Sequence, residues 1–387
     1  MCQRTPKSPF PVIYELYNTR FNDMLLQPML DNLTKAVNLT ISDITPTWEQ
    51  SQSYHHQALV HIVCTLTHHV KEFSKYKKDP CLQHKPRSPL PDDLEMIIHT
   101  LHIRAIEEAS IKGNLLVHVD IIIDQLGQTL LKNPHLLTHA IPIFADLLTL
   151  CRICRGHRLQ WGDINAWERR DIFTFFLGMG LFHLVMNLIW MINIKYAGLS
   201  VYQIGLLNYW FAKLEKVHLS TKKLDFHALL MTLQQLLDGI LLYTWKLECG
   251  YASFEQFAAS KPTPQELLTL AEHIFDQYAT PEPELEDDVS DSSDSDYEPD
   301  ILNRNICLLA RDLLYVVELV QAIQDGDFGR IEDIYPDLVH LFCGGGSNNY
   351  LTEILHFLYN VKNVWTPEFV LVYSCFLDFT THSSAGI

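Results

Sequence analysis

Charged side chains are missing from one long apolar stretch of this sequence. The 21 residues from Thr174 to Ile194 contain no Lys, Arg, Asp or Glu, and a membrane-spanning helix needs about 20 such residues. His183, Asn187 and Asn193 lie inside the stretch, however, and polar groups of this kind are costly when they face lipid. The flanking sequence also contains no second run of similar quality. We therefore predict the central buried helix of a soluble domain, and we expect no membrane partner.

The N-terminus lacks the apolar core of a secretory signal peptide. It begins "MCQRTPKSPFPVIYELYN", and no apolar run of the required length follows the first basic residues. The nine cysteines are odd in number and scattered along the chain, which favours reduced thiols over a disulfide framework. We expect an intracellular, soluble protein, and nothing in the sequence distinguishes nucleus from cytoplasm.

The chain contains fewer basic than acidic residues. The formal net charge is -17, and ten acidic residues without a single basic one lie between Glu282 and Asp300. A segment with so little apolar content is typical of disorder, so we predict an acidic disordered loop at 280–300 that could contact protein partners. Nucleic-acid binders usually carry a basic surface. Here basic residues cluster only locally, where they form either solvated faces or phosphate contacts: Lys71, Lys75, Lys77, Lys78, Lys85 and Arg87, and Arg152, Arg155, Arg158, Arg169 and Arg170.

Several well-known catalytic motifs are absent. The sequence has no Ser nucleophile elbow, HExxH, GxGxxG or kinase signature. Cys151, Cys154 and His157 in "CRICRGH" could begin a zinc site, but no second ligand pair follows at a suitable spacing. A structural role for these cysteines, one of them facing the core, is the alternative, and we assign no metal site to them.

Two further stretches offer binding candidates. "GGGSNN" at 344–349 precedes a helical pattern without the GK[ST] of a phosphate-binding loop, so Asn349 belongs either to an anion site at a helix N-terminus or to a flexible turn. His183 and Asn187 share one helical face at i and i+4. They are either binding residues or core residues that satisfy each other's hydrogen bonds.

Helical periodicity dominates the rest of the chain. We predict a mainly α, multi-helical fold with at most a small β-sheet, whose clearest strand signal is Ile141–Phe144, closed by Ala145 and Asp146. The predicted organisation has five parts: an N-terminal helical part at 1–76, a Pro/Lys-rich linker or loop at 77–93, a central helical domain at 94–279, a disordered acidic insert at 280–300, and a C-terminal helical part of the same domain at 301–387.

Several stretches together resemble a known family. They are "HIRAIEEASIKGNLLVHVDIIIDQLG", "PIFADLLTLCRI", "GLFHLVMN", the run from "LLARDLLYVV" through the specific "GGGSNNYLTEIL", and the ending "FTTHSSAGI". In order and spacing they resemble the domain of unknown function 6589, a family of fungal, mainly basidiomycete, genomes that is often found in transposon-derived proteins. The resemblance covers most of the chain.

The resemblance implies a transposase-like function. Cut-and-paste transposases place three carboxylates on a ribonuclease-H-like core, where they hold two metal ions for strand cleavage. By this resemblance Asp31, Asp146 and Glu353 are the candidate catalytic carboxylates, a divalent metal such as Mg²⁺ is the expected cofactor, DNA is the expected partner, and the small sheet would be a remnant of that core.

One departure from the family pattern bears on activity. Members typically carry Gly-Asp-x-Leu-Thr in the central segment, and here Ala145 replaces the glycine while Asp146 is kept. A decayed or domesticated nucleic-acid-processing domain is therefore one hypothesis. A non-catalytic helical protein-interaction domain is the alternative.

Overall fold

The computed structural model describes residues 12–16, 20–91, 96–128, 132–160, 175–220, 225–280 and 300–384. Helices dominate these residues, which confirms the predicted mainly α fold. The α-helices are α1 Leu26–Leu33, α2 Trp48–His69, α3 Ile111–Val119, α4 Leu147–Gln160, α5 Leu181–Tyr196, α6 Leu207–Lys213, α7 Phe226–Glu248, α8 Phe254–Ala259, α9 Pro264–Tyr278, α10 Ile301–Asp325, α11 Phe328–Gly344, α12 Asn348–Asn363 and α13 Pro367–Ser384.

Two small two-stranded sheets accompany the helices in the described residues. An antiparallel pair joins β1, Val12–Leu16, to β2, Met96–Thr100. A parallel pair joins β3, Ile141–Ala145, to β4, Phe175–Met179, and in its register Ala145 lies opposite Met179. The predicted strand signal at 141–144 is thus confirmed. β1 places a strand inside the part that we predicted as N-terminal and helical.

The apolar run at 174–194 is not one continuous helix, so that part of the prediction is wrong. Its first residues form β4, and α5 begins only at Leu181, after Gly180. Two adjacent phenylalanines favour the strand, and the glycines on either side of Met179 weaken a helix at that point. None of the helices in the described parts of the chain combines the length and apolarity that a membrane crossing needs.

The core surrounds α5. Leu184, Leu188 and Ile189 are fully buried, and α5 packs against α7, α10 and α13. A single hydrophobic cluster contains residues from α2, α5, α7 and α10 through α13. The predicted parts at 1–76, 94–279 and 301–387 therefore share this core, although the proposed boundaries stay a prediction. Of the predicted acidic insert, residues 281–299 lie outside the described residues.

The Pro/Lys-rich segment after α2 is a loop that lies against the helices. The Asp327 carboxylate accepts hydrogen bonds from the backbone N–H groups of Arg87 and Ser88, each at 2.8 Å. The Arg87 guanidinium also contacts Asp333 at 2.7 Å. These contacts hold the loop at the start of α11. The two hydrogen bonds to the Asp327 carboxylate are strong because their acceptor is charged.

Glu332, on α11, gives a pH-dependent prediction. Burial, and then the charge of Asp333, raise the pKa of this carboxyl to about 7, although Arg87 acts in the opposite direction. The raised pKa means that the protonated form stabilises the fold below about pH 4.5 and that this contribution is lost as the pH rises through 7. Because Gln resembles the protonated acid, Glu332→Gln should raise the free energy of unfolding at pH 8 by about 1–3 kcal/mol. Urea denaturation at pH 8 and pH 4.5 measures the effect.

The gain from Glu332→Gln should vanish at pH 4.5, where the wild-type carboxyl is already protonated in the folded state. Glu72→Gln, an exposed position, is the matched control and should change neither value. An equal gain at both pH values would contradict the assignment to titration.

Candidate functional site

The carboxyl ends of β3 and β4 carry two of the predicted site residues. Asp146 directly follows β3, and its carboxylate caps α4 by accepting a hydrogen bond from the Thr149 N–H at 2.8 Å. His183 lies in the first turn of α5, directly after β4. The Gly180 N–H donates to the Ala145 carbonyl at 3.3 Å. Ligand sites of parallel sheets commonly lie at this edge.

The side chains of Asp146 and His183 interact electrostatically. Burial lowers the pKa of the His183 imidazole, and the charge of Asp146 only partly opposes this effect. The imidazole is therefore neutral at neutral pH and can accept a proton. Asp146 itself is exposed to solvent, so a substrate can reach its carboxylate.

A third predicted residue, Asn187, joins α5 to α12. Its amide donates to the His183 carbonyl at 2.8 Å, and Asn187 is close enough to Tyr350, in the first turn of α12, to lower the pKa of the tyrosine hydroxyl. One helical turn further along α5, Met191 lies so close to Gly345 that any side chain at 345 would collide with it. Asn187 is therefore hydrogen-bonded within α5 and interacts with the start of α12.

The Tyr350 hydroxyl lies within electrostatic reach of both Asp146 and Glu353. Burial raises the pKa of its hydroxyl to about 12, and the charges of Asp146 and Glu353 both contribute to the increase. Glu353 follows Tyr350 by three residues, which places both side chains on one face of α12. The charges of Asp146 and Glu353 therefore both reach the Tyr350 hydroxyl. Sequence reasoning missed Tyr350, although its spacing from Glu353 is a usable signal.

Glu353 lies beside the end of β4. It lines a small pocket of about 30 Å³ together with Met179, His356 and Tyr373. The side chain is 20% exposed, and burial raises the pKa of its carboxyl. A half-buried carboxyl with a raised pKa gains from a nearby cation, because the cation favours the charged form.

The face of α4 that continues from Asp146 borders the same site. Burial, and then the charge of Glu353, raise the pKa of the Cys154 thiol, while Arg158 lowers it. Cys151 is half-buried and Cys154 is exposed. The side chain of His157, the third member of the predicted CxxC-plus-His group, lies outside the described residues.

Two of the predicted residues lie elsewhere. Asp31 is on α1, where it accepts a hydrogen bond from Gln27 at 2.8 Å, and its neighbour Asn32 contacts the Val364 carbonyl. Val364 follows Glu353 by eleven positions at the far end of α12, which is roughly 16 Å along a helix. The structure therefore does not bring Asp31 to the other carboxylates. Asn349 is exposed in the first turn of α12.

Asp146 and Glu353 offer two carboxylate ligands rather than a closed cage of protein ligands. Among the described residues, only one group of three His, Cys, Asp or Glu side chains has ligand atoms within 4.8 Å of one another, and it does not include Asp146 or Glu353. A closed cage at the strand ends is thus not formed. Mg²⁺, however, is commonly held by one or two carboxylates, with waters and substrate phosphates as its other ligands. Asp146 and Glu353 supply two carboxylates, the ligand type that a cation of that class uses.

Comparison with known proteins adds one finding. A family model described as a family of unknown function (DUF6589) matches residues 34–375. No curated protein and no solved structure gives a significant match. Asp146, His183 and Glu353 lie within the matched region, whereas Asp31 precedes it.

Proposed function

Because the chain belongs to the family of unknown function DUF6589, we propose for it the nucleic-acid-processing function of a transposase-like domain. Asp146 and Glu353 are the carboxylates of its site, and Asp31 would be a third only if α1 moved. One observation supports the proposal: Asp146 follows β3 at the carboxyl end of a parallel strand pair, and its charge and that of Glu353 both raise the pKa of Tyr350. The descent from a fungal transposon, with β3 and β4 as a remnant ribonuclease-H-like core, is part of the proposal and rests on the resemblance of the motifs.

The chemistry assigned to the site is hydrolysis of a phosphodiester bond. A divalent cation such as Mg²⁺ would supply charge neutralisation at the phosphate and a more acidic water. Asp146 and Glu353 would hold that cation through their carboxylate oxygens. His183, with its lowered pKa, would accept the proton of the attacking water. Arg158, on the exposed face of α4, would contact a neighbouring phosphate.

A cleavage assay tests this function. Wild-type protein with Mg²⁺ or Mn²⁺ should cut single-stranded or duplex DNA, and Asp146→Asn and Glu353→Gln should each lower the rate by at least about 100-fold, because each removes one charged ligand. Glu272→Gln, an exposed carboxylate on α9, is the matched control and should leave the rate unchanged.

Two further results of the same assay are informative. Asp31→Asn distinguishes the pair from the trio, since only a third ligand would make its loss matter. Cleavage by the wild type that persists in Asp146→Asn would show a contaminating nuclease and contradict the proposal. Absence of cleavage with every metal would favour the second candidate function.

The second candidate is a non-catalytic protein-interaction domain. It is favoured by exposed apolar side chains on the loop after α5, where Leu199 is 98% and Tyr202 is 87% exposed. This loop lies against the start of α10, since Gly205 closely approaches Leu302. Large apolar side chains exposed together are typical of contact surfaces. The acidic segment that precedes α10 in the sequence would add charge for a basic partner, and Tyr202→Ser should weaken such binding while leaving any DNA cleavage unchanged.

A further inference from the structure

A cluster of ionisable side chains forms where the loop after α2 meets two helices. His61 lies on α2, Glu318 on α10 and His84 on the loop. The His61 Nε2 and Glu318 Oε2 atoms are 2.8 Å apart, and the centroids of the two imidazole rings are 4.5 Å apart. One nitrogen of each imidazole and one Glu318 oxygen all lie within 4.8 Å of one another. None of these residues belongs to the site at β3 and β4.

A hydrogen bond to Gln57 fixes the orientation of the His84 ring. Its Nδ1 is 2.8 Å from the Gln57 Oε1 atom, and the Gln57 amide nitrogen donates to the Lys85 carbonyl at 2.7 Å. The amide oxygen therefore faces His84, so Nδ1 carries the proton and Nε2 keeps a lone pair. The Nε2 atom makes no hydrogen bond within the described part of the chain. Metal-binding histidines are typically oriented by such a bond at their other nitrogen.

Burial, and then the neighbouring charges of His61 and Arg330, lower the pKa of His84 to about 3. The imidazole is neutral at physiological pH, as a metal ligand must be.

The buried carboxylate of the cluster is shared between two partners. Glu318 accepts hydrogen bonds from the Arg330 Nε and Nη2 atoms, each at 2.8 Å. Arg330 also contacts the Asp325 carboxylate, which is 39% exposed, so water screens the charge of Asp325. The Glu318 Oε2 atom in addition faces the His61 Nε2 atom at 2.8 Å, and a cation that replaces this hydrogen bond gains a carboxylate ligand that is already positioned.

We propose that His61, His84 and Glu318 bind a zinc-class divalent cation. The cation takes the place of the proton between His61 Nε2 and Glu318 Oε2, and the His84 Nε2 atom is the third ligand. If His61 is charged beforehand, binding releases that proton to solvent. Arg330 keeps its bond to Glu318 Oε1, and a water occupies the fourth position, as in zinc sites with three protein ligands.

The geometry needs only a small adjustment. Zinc–nitrogen and zinc–oxygen bonds of about 2.0–2.2 Å place tetrahedral ligand atoms about 3.4 Å apart. His61 and Glu318 would separate slightly from their hydrogen-bonding distance of 2.8 Å. His84, within 4.8 Å of the others, would move closer together with its loop and with Gln57, which keeps the ring orientation. A bound cation would fasten the loop to α2 and α10.

A metal titration of the full chain tests the proposal. Protein stripped with a chelator and dialysed should bind one Co²⁺ per chain with the intense visible absorption of a four-coordinate ion, and Zn²⁺ should displace it. Zn²⁺ in excess should raise the melting temperature, because a ligand that binds only the folded state stabilises it. His84→Gln and His61→Gln should each weaken binding at least about tenfold.

The matched control is His68→Gln, an exposed histidine on the same helix, and it should bind Co²⁺ as the wild type does. This control matters because the chain contains 19 histidines, any of which can bind metal weakly. Far-UV circular dichroism checks that each variant folds. If His61→Gln does not fold, His84→Gln decides alone, since His84 lies on the loop.

Two outcomes would overturn the proposal. One is a wild type that binds no stoichiometric Co²⁺ after stripping. The other is a folded His84→Gln variant with unchanged affinity and an unchanged rise in melting temperature.

Discussion

Arg330→Met is expected to lower the free energy of unfolding by about 3–5 kcal/mol. The Arg330 side chain is 2% exposed and that of Glu318 is 1% exposed, so both charges are almost fully removed from water. The guanidinium donates to both oxygens of Glu318 and also to Asp325. Met fills a similar volume without charge, and its introduction leaves the Glu318 carboxylate with only His61 as a partner.

Denaturation by urea at neutral pH measures this loss. Lys362→Met is the matched control, since Lys362 pairs with Asp43 at the surface and exposed pairs contribute only about 0–1 kcal/mol. The double variant Arg330→Met/Glu318→Leu should recover much of the lost stability, because it removes the unpaired carboxylate as well. Equal losses in Arg330→Met and Lys362→Met would contradict the view that Arg330 stabilises a buried charge.

Hydrophobic periodicity predicts the C-terminal helices of this chain but not the strand β4. Helical periodicity led to a predicted C-terminal helical part at 301–387, and α10, α11 and α12 lie within it. Gly326, with a positive φ of 63°, ends α10, because glycine adopts this conformation without steric cost. By contrast, β4 was hidden inside an apolar run, since a short buried strand and a buried helix have the same composition.

Both sites are formed by residues that are far apart in the sequence, so no local sequence pattern predicts their contacts. Asp146 was predictable because it ends the clearest strand signal, and β3 and α4 confirm the local structure around it. Its electrostatic effect on Tyr350 depends on tertiary packing, because the two residues are 204 positions apart in the chain. The separation of Asp31 arises in the same way, since Asn32 packs at the opposite end of α12.

The cluster around Glu318 was also missed for a physical reason. His61 and Glu318 are 257 positions apart, so no local pattern in either helix predicts their contact. A usable signal was present all the same. Gln57 and Glu318 are polar residues on otherwise buried helical faces, and buried polar groups need partners.

Leu188→Ala should lower the free energy of unfolding by about 2–5 kcal/mol, because it removes a fully buried side chain and leaves a cavity. Leu188 lies at the centre of α5, the helix that surrounding helices α7, α10 and α13 enclose. Ile194→Ala is the control on the same helix, since Ile194 is 74% exposed and a surface substitution usually changes stability by less than about 0.5 kcal/mol.

Urea denaturation of the two variants without detergent measures the difference between two faces of one apolar segment. If protein encloses α5, only substitutions on its buried face should lower the free energy of unfolding, because only those side chains leave water when the chain folds. Equal effects at Leu188 and Ile194 would contradict this packing. The stretch from Thr174 to Ile194 can lack charge because the buried face of α5, with Leu184, Leu188 and Ile189, fills the centre of the core, while His183 interacts with the charge of Asp146.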